Sequence, residues 1–155
     1  MFDIPFQILM SDISVPPKFL KPFYKFRLSQ LNAAELSGGE WSVPICEGGD
    51  NNVRCHMVWV QGEVTSVSGD SDSLVLSDSS GGSVTIDSVG STPLATGQLT
   101  QGQYLQVIGQ LVATNKIKCS KVTDLTHNKH CQQMWDLEVS ELQNLLADKI
   151  VINSQ

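Results

Sequence analysis

The sequence lacks cations over a long central stretch, because residues 55–115 contain neither lysine nor arginine. The whole chain of 155 residues has 10 cationic and 16 acidic side chains, for a formal net charge of -6. Aromatic residues are also few, and within residues 55–115 they are Trp59 and Tyr104 alone. Proteins that hold single strands use cations for the phosphates and aromatic rings for the bases. We therefore expect little direct binding of nucleic acid by this stretch.

Other absences narrow the class of protein further. No apolar run reaches the length of a membrane span, and the first residues are acidic rather than basic, so we expect neither a membrane helix nor a secretion signal. The four cysteines show no CxxC spacing, which favours reduced thiols. No phosphate-binding glycine loop, GxSxG or HExxH motif is present. We predict a protein that is not an enzyme and uses no cofactor. A metal site is also not expected, because the candidate ligands lack two tight pairs: Cys55, His56, His127, His130 and Cys131.

The central stretch has the pattern of five β-strands. Residues 56–67 and 103–113 are rich in apolar and β-branched side chains. Residues 73–78 and 83–87 flank a Ser-Ser-Gly-Gly turn and predict a hairpin, and 117–123 supply a fifth strand. Five short strands in this order predict an all-β protein with a single barrel.

A central glycine in each long strand refines this prediction. Gly62 and Gly109 stand where a packed strand would favour a side chain, so each predicts a bulge or bend around a barrel corner. Two strands of matching pattern favour the five-stranded oligonucleotide/oligosaccharide-binding (OB) fold. We place this barrel at residues 41–127.

The amino-terminal part divides into a segment without periodicity, 1–15, which we expect to be flexible, and a basic and aromatic segment, 16–40. One interpretation of the second segment is contact with nucleic acid or an anionic surface. Helical spacing favours another, in which a short helix after Pro22 covers the end of the barrel and its cations lie in water. The apolar positions of that helix are Phe23, Leu28 and Leu31, and the cations of the segment are Lys18, Lys21, Lys25 and Arg27.

The carboxy-terminal part predicts an amphipathic helix over 131–151. One apolar stripe suffices to cover a barrel, whereas this helix has a second apolar flank. The second flank either fits a groove of the same domain or contacts a partner helix, and we favour the partner. The stripe consists of Trp135, Val139, Leu142, Leu146 and Ile150; the flank has Met134 and Leu145, with Leu137 further round. Three acids, Asp136, Glu138 and Glu141, are expected near the positive end of the helix dipole.

A lysine interrupts the fifth strand. Alternation places Lys121 on the same face as Ile117, Cys119 and Thr123. A lysine in the middle of a strand is usually solvated, with its stem over apolar neighbours. Beside an interface, it can instead pair with an acid or carbonyl of a partner.

Several short motifs, in this order, resemble the family of RecQ-mediated genome instability protein 2 over residues 41–142. They are Val-Trp-Val-Gln-Gly at 58–62, Gly-Gln-Tyr at 102–104 leading to Val-Ile-Gly at 107–109, Lys-Val-Thr-Asp-Leu at 121–125 and Met-Trp-Asp-Leu-Glu-Val at 134–139.

The resemblance implies a single OB domain without activity of its own, and a nuclear location. It implies a heterodimer with the last OB domain of RecQ-mediated genome instability protein 1. Through this partner the chain would join the complex of a Bloom-type RecQ helicase and topoisomerase III alpha, which dissolves double Holliday junctions. The Fanconi anaemia M protein is a further expected partner. In this family a lysine of the fifth strand lies at the subunit contact, and it corresponds to Lys121 here.

The candidate partner-binding residues are therefore Lys121, Met134, Trp135, Val139, Leu142, Leu145 and Leu146. The alternative interpretation is a small OB subunit that binds single-stranded DNA directly, within a replication or telomere complex.

Overall fold

The computed structural model describes residues 24–45, 51–92 and 98–153. Nine strands and two α-helices lie in these ranges, with a short 3-10 helix at Val89–Ser91. The strands are β1 Tyr24–Lys25, β2 Glu35–Ser37, β3 Glu40–Pro44, β4 Asn52–Cys55, β5 Met57–Val67, β6 Leu74–Ser77, β7 Ser83–Asp87, β8 Tyr104–Ala113 and β9 Lys116–Asp124; the helices are α1 Leu28–Asn32 and α2 Lys129–Asn153.

Five strands pair in the order of the predicted barrel. Strand β5 pairs with β6 through one half of its length and with β8 through the other, and β9 joins β7 to β8. All these pairings are antiparallel except that of β7 with β9. Strand β1 lies outside this ring and runs parallel to β5. The remaining strands, β2, β3 and β4, form a separate small sheet.

The barrel core consists of the inward-pointing residues of the long strands. Along β5, Val58, Val60 and Val64 are buried, and along β8 Leu105 and Val107 are buried. Side chains of a strand alternate between its two faces, so the residues directly next to each of these point outward. The alternation that predicted the strands therefore also selects the core.

The two central glycines permit close contact between strands. A Cβ on Gly62 would lie 2.7 Å from the carbonyl oxygen of Ser77, and one on Gly109 would lie 2.3 Å from that of Lys118. The pairing of β8 with β9 shifts register beside Gly109, but the extra residue lies on β9 and not in the strand of the glycine. In β5 the shift lies beyond Val64 and not at Gly62. Gly62 instead lies where the partner of β5 changes from β8 to β6.

The segment before the barrel differs from the prediction at its start. Residues Tyr24–Lys25 form a strand, and the helix begins at Leu28 rather than directly after Pro22. Leu28 and Leu31 are fully buried as expected, because α1 packs against β3 and β7. Phe26, between the strand and the helix, is also fully buried. Phe23, Lys18, Lys21 and residues 1–15 lie outside the described residues.

Helix α2 begins at Lys129, two residues before the predicted start. It packs mainly against β1, so the two ends of the described chain meet on one side of the barrel. The side chain of Ile150 lies outside the described residues. Within the described ranges, no helix is both long enough and apolar enough to cross a membrane.

Candidate protein interface

A row of four side chains crosses the outer face of the sheet. Lys25 of β1 is the register partner of Trp59 on β5, Trp59 is the partner of Ile108 on β8, and Ile108 is the partner of Lys121 on β9. Register partners on neighbouring strands point to the same face of a sheet. Lys25 is buried, the two central residues are half-buried and Lys121 is exposed. We call the buried end of the row, at Lys25, the covered end, and the exposed end, at Lys121, the open end.

Strand β9 contains an extra residue relative to β8. Gly109 pairs with Cys119, and the next pair along the two strands is Ile108 with Lys121. Ser120 is therefore left without a register partner on β8, which is the definition of a β-bulge. It is also exposed.

The bulge decides where Lys121 points. Because side chains alternate along a strand, one extra residue moves every later side chain to the opposite face. Lys121 therefore points away from the barrel, whereas Val122 is buried in the core. The prediction that Lys121 shares the face of Ile117 and Cys119 is wrong for this reason. Both of those residues are buried.

The covered end of the row is a partly buried ion pair. The Lys25 ammonium lies 2.7 Å from a carboxylate oxygen of Glu138, and only 10% of the Lys25 side chain is exposed. The same ammonium lies 4.6 Å from the ring centroid of Trp59 and 5.9 Å from that of Trp135. Distances of this size allow cation–π attraction to both indoles. The prediction that the cations of this segment lie in water is wrong for Lys25.

Further hydrogen bonds join the start of the described chain to α2. The Arg27 guanidinium donates to a carboxylate oxygen of Asp136 at 2.8 Å and to the Ser140 hydroxyl at 2.7 Å. The buried Gln143 side chain donates to the carbonyl of Lys25 at 3.1 Å. Helix α2 is therefore held on β1 by polar and ionic contacts as well as by apolar packing.

These contacts change the interpretation of the helix acids. The first turn of α2 contains no acidic residue, because the helix starts at Lys129. Asp136 and Glu138 lie beyond that turn, where the helix dipole has little effect. Their carboxylates pair instead with Arg27 and Lys25.

The predicted site residues on α2 divide by exposure. Trp135 and Val139 are buried against the protein itself, so neither offers a free surface. Leu145 is 55% exposed. Met134, Leu142 and Leu146 are half-buried, and Leu146 packs against the barrel core.

Lys121 lies apart from the contacts that α2 makes at the covered end of the row. Three strand spacings separate it from Lys25, which corresponds to roughly 14 Å. The structure therefore does not bring the predicted site residues into one cluster.

Ile108 belongs to this surface, although it is not among the site residues predicted from the sequence. It is an apolar residue on the outer face of β8, between the outward-pointing Gln106 and Gln110. An apolar residue among the polar residues of an outer strand face indicates a covered position, and this pattern is visible in the sequence. Lys25 has no such local signal, because its partner is 113 positions away.

A cleft of about 590 Å³ lies beside the start of α2. Its lining includes Arg27, Tyr104 and Trp135 together with three acids, Glu63, Asp78 and Asp136. The one cation is already paired with Asp136. Burial and the nearby Asp78 raise the pKa of Tyr104 to about 12, so its hydroxyl stays neutral at physiological pH. A cleft with this balance of charge repels phosphate.

Asp78 has a structural role instead of a binding one. Its carboxylate accepts hydrogen bonds from the backbone of Leu28 at 2.9 Å and from the backbone of Ser80 at 3.0 Å. It therefore ties the start of α1 to the hairpin turn. Within the described ranges, no three His, Cys, Asp or Glu side chains are arranged to hold a metal ion.

Comparison with known proteins agrees with this architecture. A chain in the crystal structure of the S. pombe Stn1-ten1 complex superposes with a TM-score of 0.61 at 12% identity, covering 86% of this chain and 99% of that one. This similarity confirms the OB fold and the all-β class.

Sequence relatives identify the family. RecQ-mediated genome instability protein 2 of Gallus gallus is 34% identical over 130 residues, which are 81% of this chain and 94% of that protein. The protein of the same name from Mus musculus is 31% identical over 112 residues, covering 70% of this chain and 73% of the relative. The model of this family matches residues 19–143. The chain therefore belongs to the RecQ-mediated genome instability protein 2 family.

Proposed function

We propose that the chain is a non-catalytic scaffold subunit that pairs with the C-terminal OB domain of RecQ-mediated genome instability protein 1. The observation that carries the proposal is the open end of the outer-face row. Lys121 is exposed there beside half-buried Ile108, and it has no ion-pair partner within the described part of the chain. An exposed cation can pair with an acid or carbonyl of a partner, and the apolar side chain beside it can be covered by the same contact.

Helix α2 supports the same proposal. Its inner stripe already packs on its own domain through Trp135 and Val139, yet Leu145 remains 55% exposed. Half-buried Met134 lies on the same flank, about 20° from Leu145 on a helical wheel. An apolar flank that its own domain leaves uncovered fits a partner surface.

In this role the heterodimer supports the complex of a Bloom-type RecQ helicase and topoisomerase III alpha, which dissolves double Holliday junctions in the nucleus. The chain contributes binding surface and not chemistry. We place Met134, Leu142, Leu145, Leu146 and Lys121 toward the partner, and Trp135 and Val139 behind them as support. The Fanconi anaemia M protein is a further proposed partner of the complex.

The charge distribution supports a subunit that does not bind DNA by itself. Residues 55–115 supply most of the barrel and carry no cation. The cleft beside α2 carries three acids against one cation that is already paired. Single-strand binding needs phosphate neutralisation and accessible rings, and Trp59 is half-buried beneath the Lys25 ammonium.

The test mixes the purified chain with the purified C-terminal OB domain of RecQ-mediated genome instability protein 1. Size-exclusion chromatography with light scattering should show a complex with one copy of each chain. A fluorescent thirty-nucleotide oligo-dT, titrated with the chain alone at physiological salt, should show no binding below about 10 µM, since non-specific affinities reach only about 1–100 µM even for basic proteins. Absence of the complex together with tight, salt-sensitive binding of the oligonucleotide would favour the alternative of a single-strand-binding subunit.

A further inference from the structure

Two lysines of β9 differ from most of the other cations whose surroundings the structure describes. Lys118 and Lys121 are exposed, and neither has an ion-pair partner among the residues described. This is unusual in a chain with 16 acids and 10 cations. Four other cations pair with carboxylates: Lys25 with Glu138, Arg27 with Asp136, Arg54 with Glu40 and Lys116 with Asp87. Exposed Lys129, at the start of α2, has no ion-pair partner among the described residues either.

The bulge at Ser120 places both lysines on one face. Lys118 pairs in register with Gln110, and Lys121 pairs with Ile108. These two β8 residues are two positions apart, so the two lysine backbones are separated by about 7 Å along the strand. In a strand of unbroken alternation, residues three positions apart, as these are, would point to opposite faces.

The surroundings do not neutralise this pair. Asp87 is the register partner of Lys118 on β7, but its carboxylate lies 3.6 Å from the ammonium of Lys116. Strand β9 contains three of the ten cations and only one acid, Asp124. A local positive surface therefore interrupts an acidic chain.

We propose that Lys118 and Lys121 form a docking site for carboxylates of the partner protein. The spacing of about 7 Å matches acidic residues at alternate positions of an extended segment, where side chains on one face repeat at about that distance. This inference rests on the proposed heterodimer and names the chemistry of the partner surface that faces β9.

A protein segment fits this site better than nucleic acid. The neighbour of Lys121 on β8 is apolar Ile108, and Asp87 lies beside Lys118. A nucleic-acid strand continues beyond the two lysines, so its phosphates would also approach Asp87. A short acidic protein segment can end before it reaches Asp87. The described part of this face also offers no exposed aromatic ring for a base, since Trp59 is half-buried.

Association rates at several salt concentrations test the inference. The wild-type chain and the variants Lys118→Glu, Lys118→Gln and Lys129→Glu are each mixed with the partner OB domain at 50, 150 and 500 mM NaCl (about 14, 8 and 4 Å Debye length). Lys129 is an exposed cation outside β9, so its reversal changes the net charge equally and serves as the control. Lys118→Glu should slow association about tenfold at 50 mM NaCl and much less at 500 mM, because screening removes electrostatic steering. The association rate of Lys118→Gln should lie between those of the wild type and Lys118→Glu. The rate of Lys129→Glu should stay within about twofold of that of the wild type.

The outcomes separate this inference from the proposed function. If the wild-type chain forms no complex, the proposed function fails and the docking site fails with it. If the wild-type complex forms but Lys118→Glu behaves as Lys129→Glu does, the heterodimer stands and the docking site is wrong. If the wild-type chain binds oligo-dT and Lys118→Glu abolishes that binding, the lysines bind phosphates and the inference is overturned. Unchanged melting temperatures of the variants exclude misfolding as the cause.

Discussion

The Lys25 ammonium lies 2.7 Å from a carboxylate oxygen of Glu138, although 113 positions of sequence separate the two residues. The pair links β1 to α2 at the covered end of the outer-face row, between the rings of Trp59 and Trp135. Removing water from a charge is costly, so each member of such a pair depends on the other. The pair therefore makes the docking of α2 depend on the first described strand.

Lys25→Met should destabilise the protein by about 2–4 kcal/mol, because it leaves Glu138 without its cation. Glu138 remains 28% exposed, so water offsets part of that cost. The double variant Lys25→Met/Glu138→Leu should recover at least about half of the loss. Urea unfolding of the wild type, both single variants and the double variant gives the coupling energy between Lys25 and Glu138. A coupling energy near zero would mean that the pair does not hold α2.

Deletion of Ser120 tests the bulge. The deletion removes only Ser120, which has no register partner on β8, so Lys121 should keep its pairing with Ile108 and Val122 its place in the core. The variant should therefore fold, with a free energy of unfolding lower than that of the wild type by no more than about 3 kcal/mol. Ser120→Ala keeps the residue count and should stay within about 0.5 kcal/mol of wild type. Thermal melting compares the two variants. A deletion variant that fails to fold would show that β9 cannot keep these pairings without Ser120, and that Ser120 is not simply an extra residue.

The sequence predicts the barrel well because alternation is a local property. The β-branched and apolar residues of β5 and β8 repeat with a period of two, and the structure buries them as that period requires. The amphipathic helix is recognised in the same way, and Trp135 and Val139 of its stripe are buried. Both patterns are set by neighbours within a few positions of the sequence.

The site is less predictable because it depends on register and on distant pairs. No residue type marks Ser120 as a bulge, so the alternation rule assigned Lys121 to the wrong face. The charge of Lys25 indicates an exposed side chain, and only the approach of α2 provides Glu138 as its partner. Such features arise from tertiary contacts between elements and have no local pattern.

Leu145→Glu should weaken the heterodimer without unfolding the chain. Leu145 is 55% exposed, so a charge there should change the free energy of unfolding by less than about 0.5 kcal/mol. Across an apolar contact, the same charge should weaken affinity at least about tenfold. The matched control is Leu137→Glu, since Leu137 is 48% exposed and lies about 160° from Trp135 on a helical wheel. Calorimetric titration with the partner domain compares the affinities of the two variants. Equal losses of affinity would contradict the assignment of the flank.

The cysteines should differ in reactivity. Burial, with a contribution from Glu40, raises the pKa of the Cys55 thiol to about 12, and burial raises the pKa of Cys119. The thiolate is the reactive form, so both should react slowly with iodoacetamide at pH 8 while half-buried Cys131 reacts at least about tenfold faster. Cys55 should become reactive only as the pH rises toward its raised pKa. Mass spectrometry of digested samples measures each site, with denatured protein as the control. Fast labelling of Cys55 at pH 8 in the native state would contradict its burial.

The dissociation rate of Lys121→Ala from the partner OB domain tests the central claim most directly. In the free chain Lys121 is exposed, so the substitution should shift the free energy of unfolding by less than about 0.5 kcal/mol. At a desolvated interface, loss of a hydrogen-bonded charge costs about 2–5 kcal/mol, which corresponds to dissociation faster by about thirtyfold or more. An unchanged melting temperature with at least thirtyfold faster dissociation is the predicted result. An unchanged dissociation rate would show that Lys121 is a solvated surface residue and that the open end of the row is not the subunit contact.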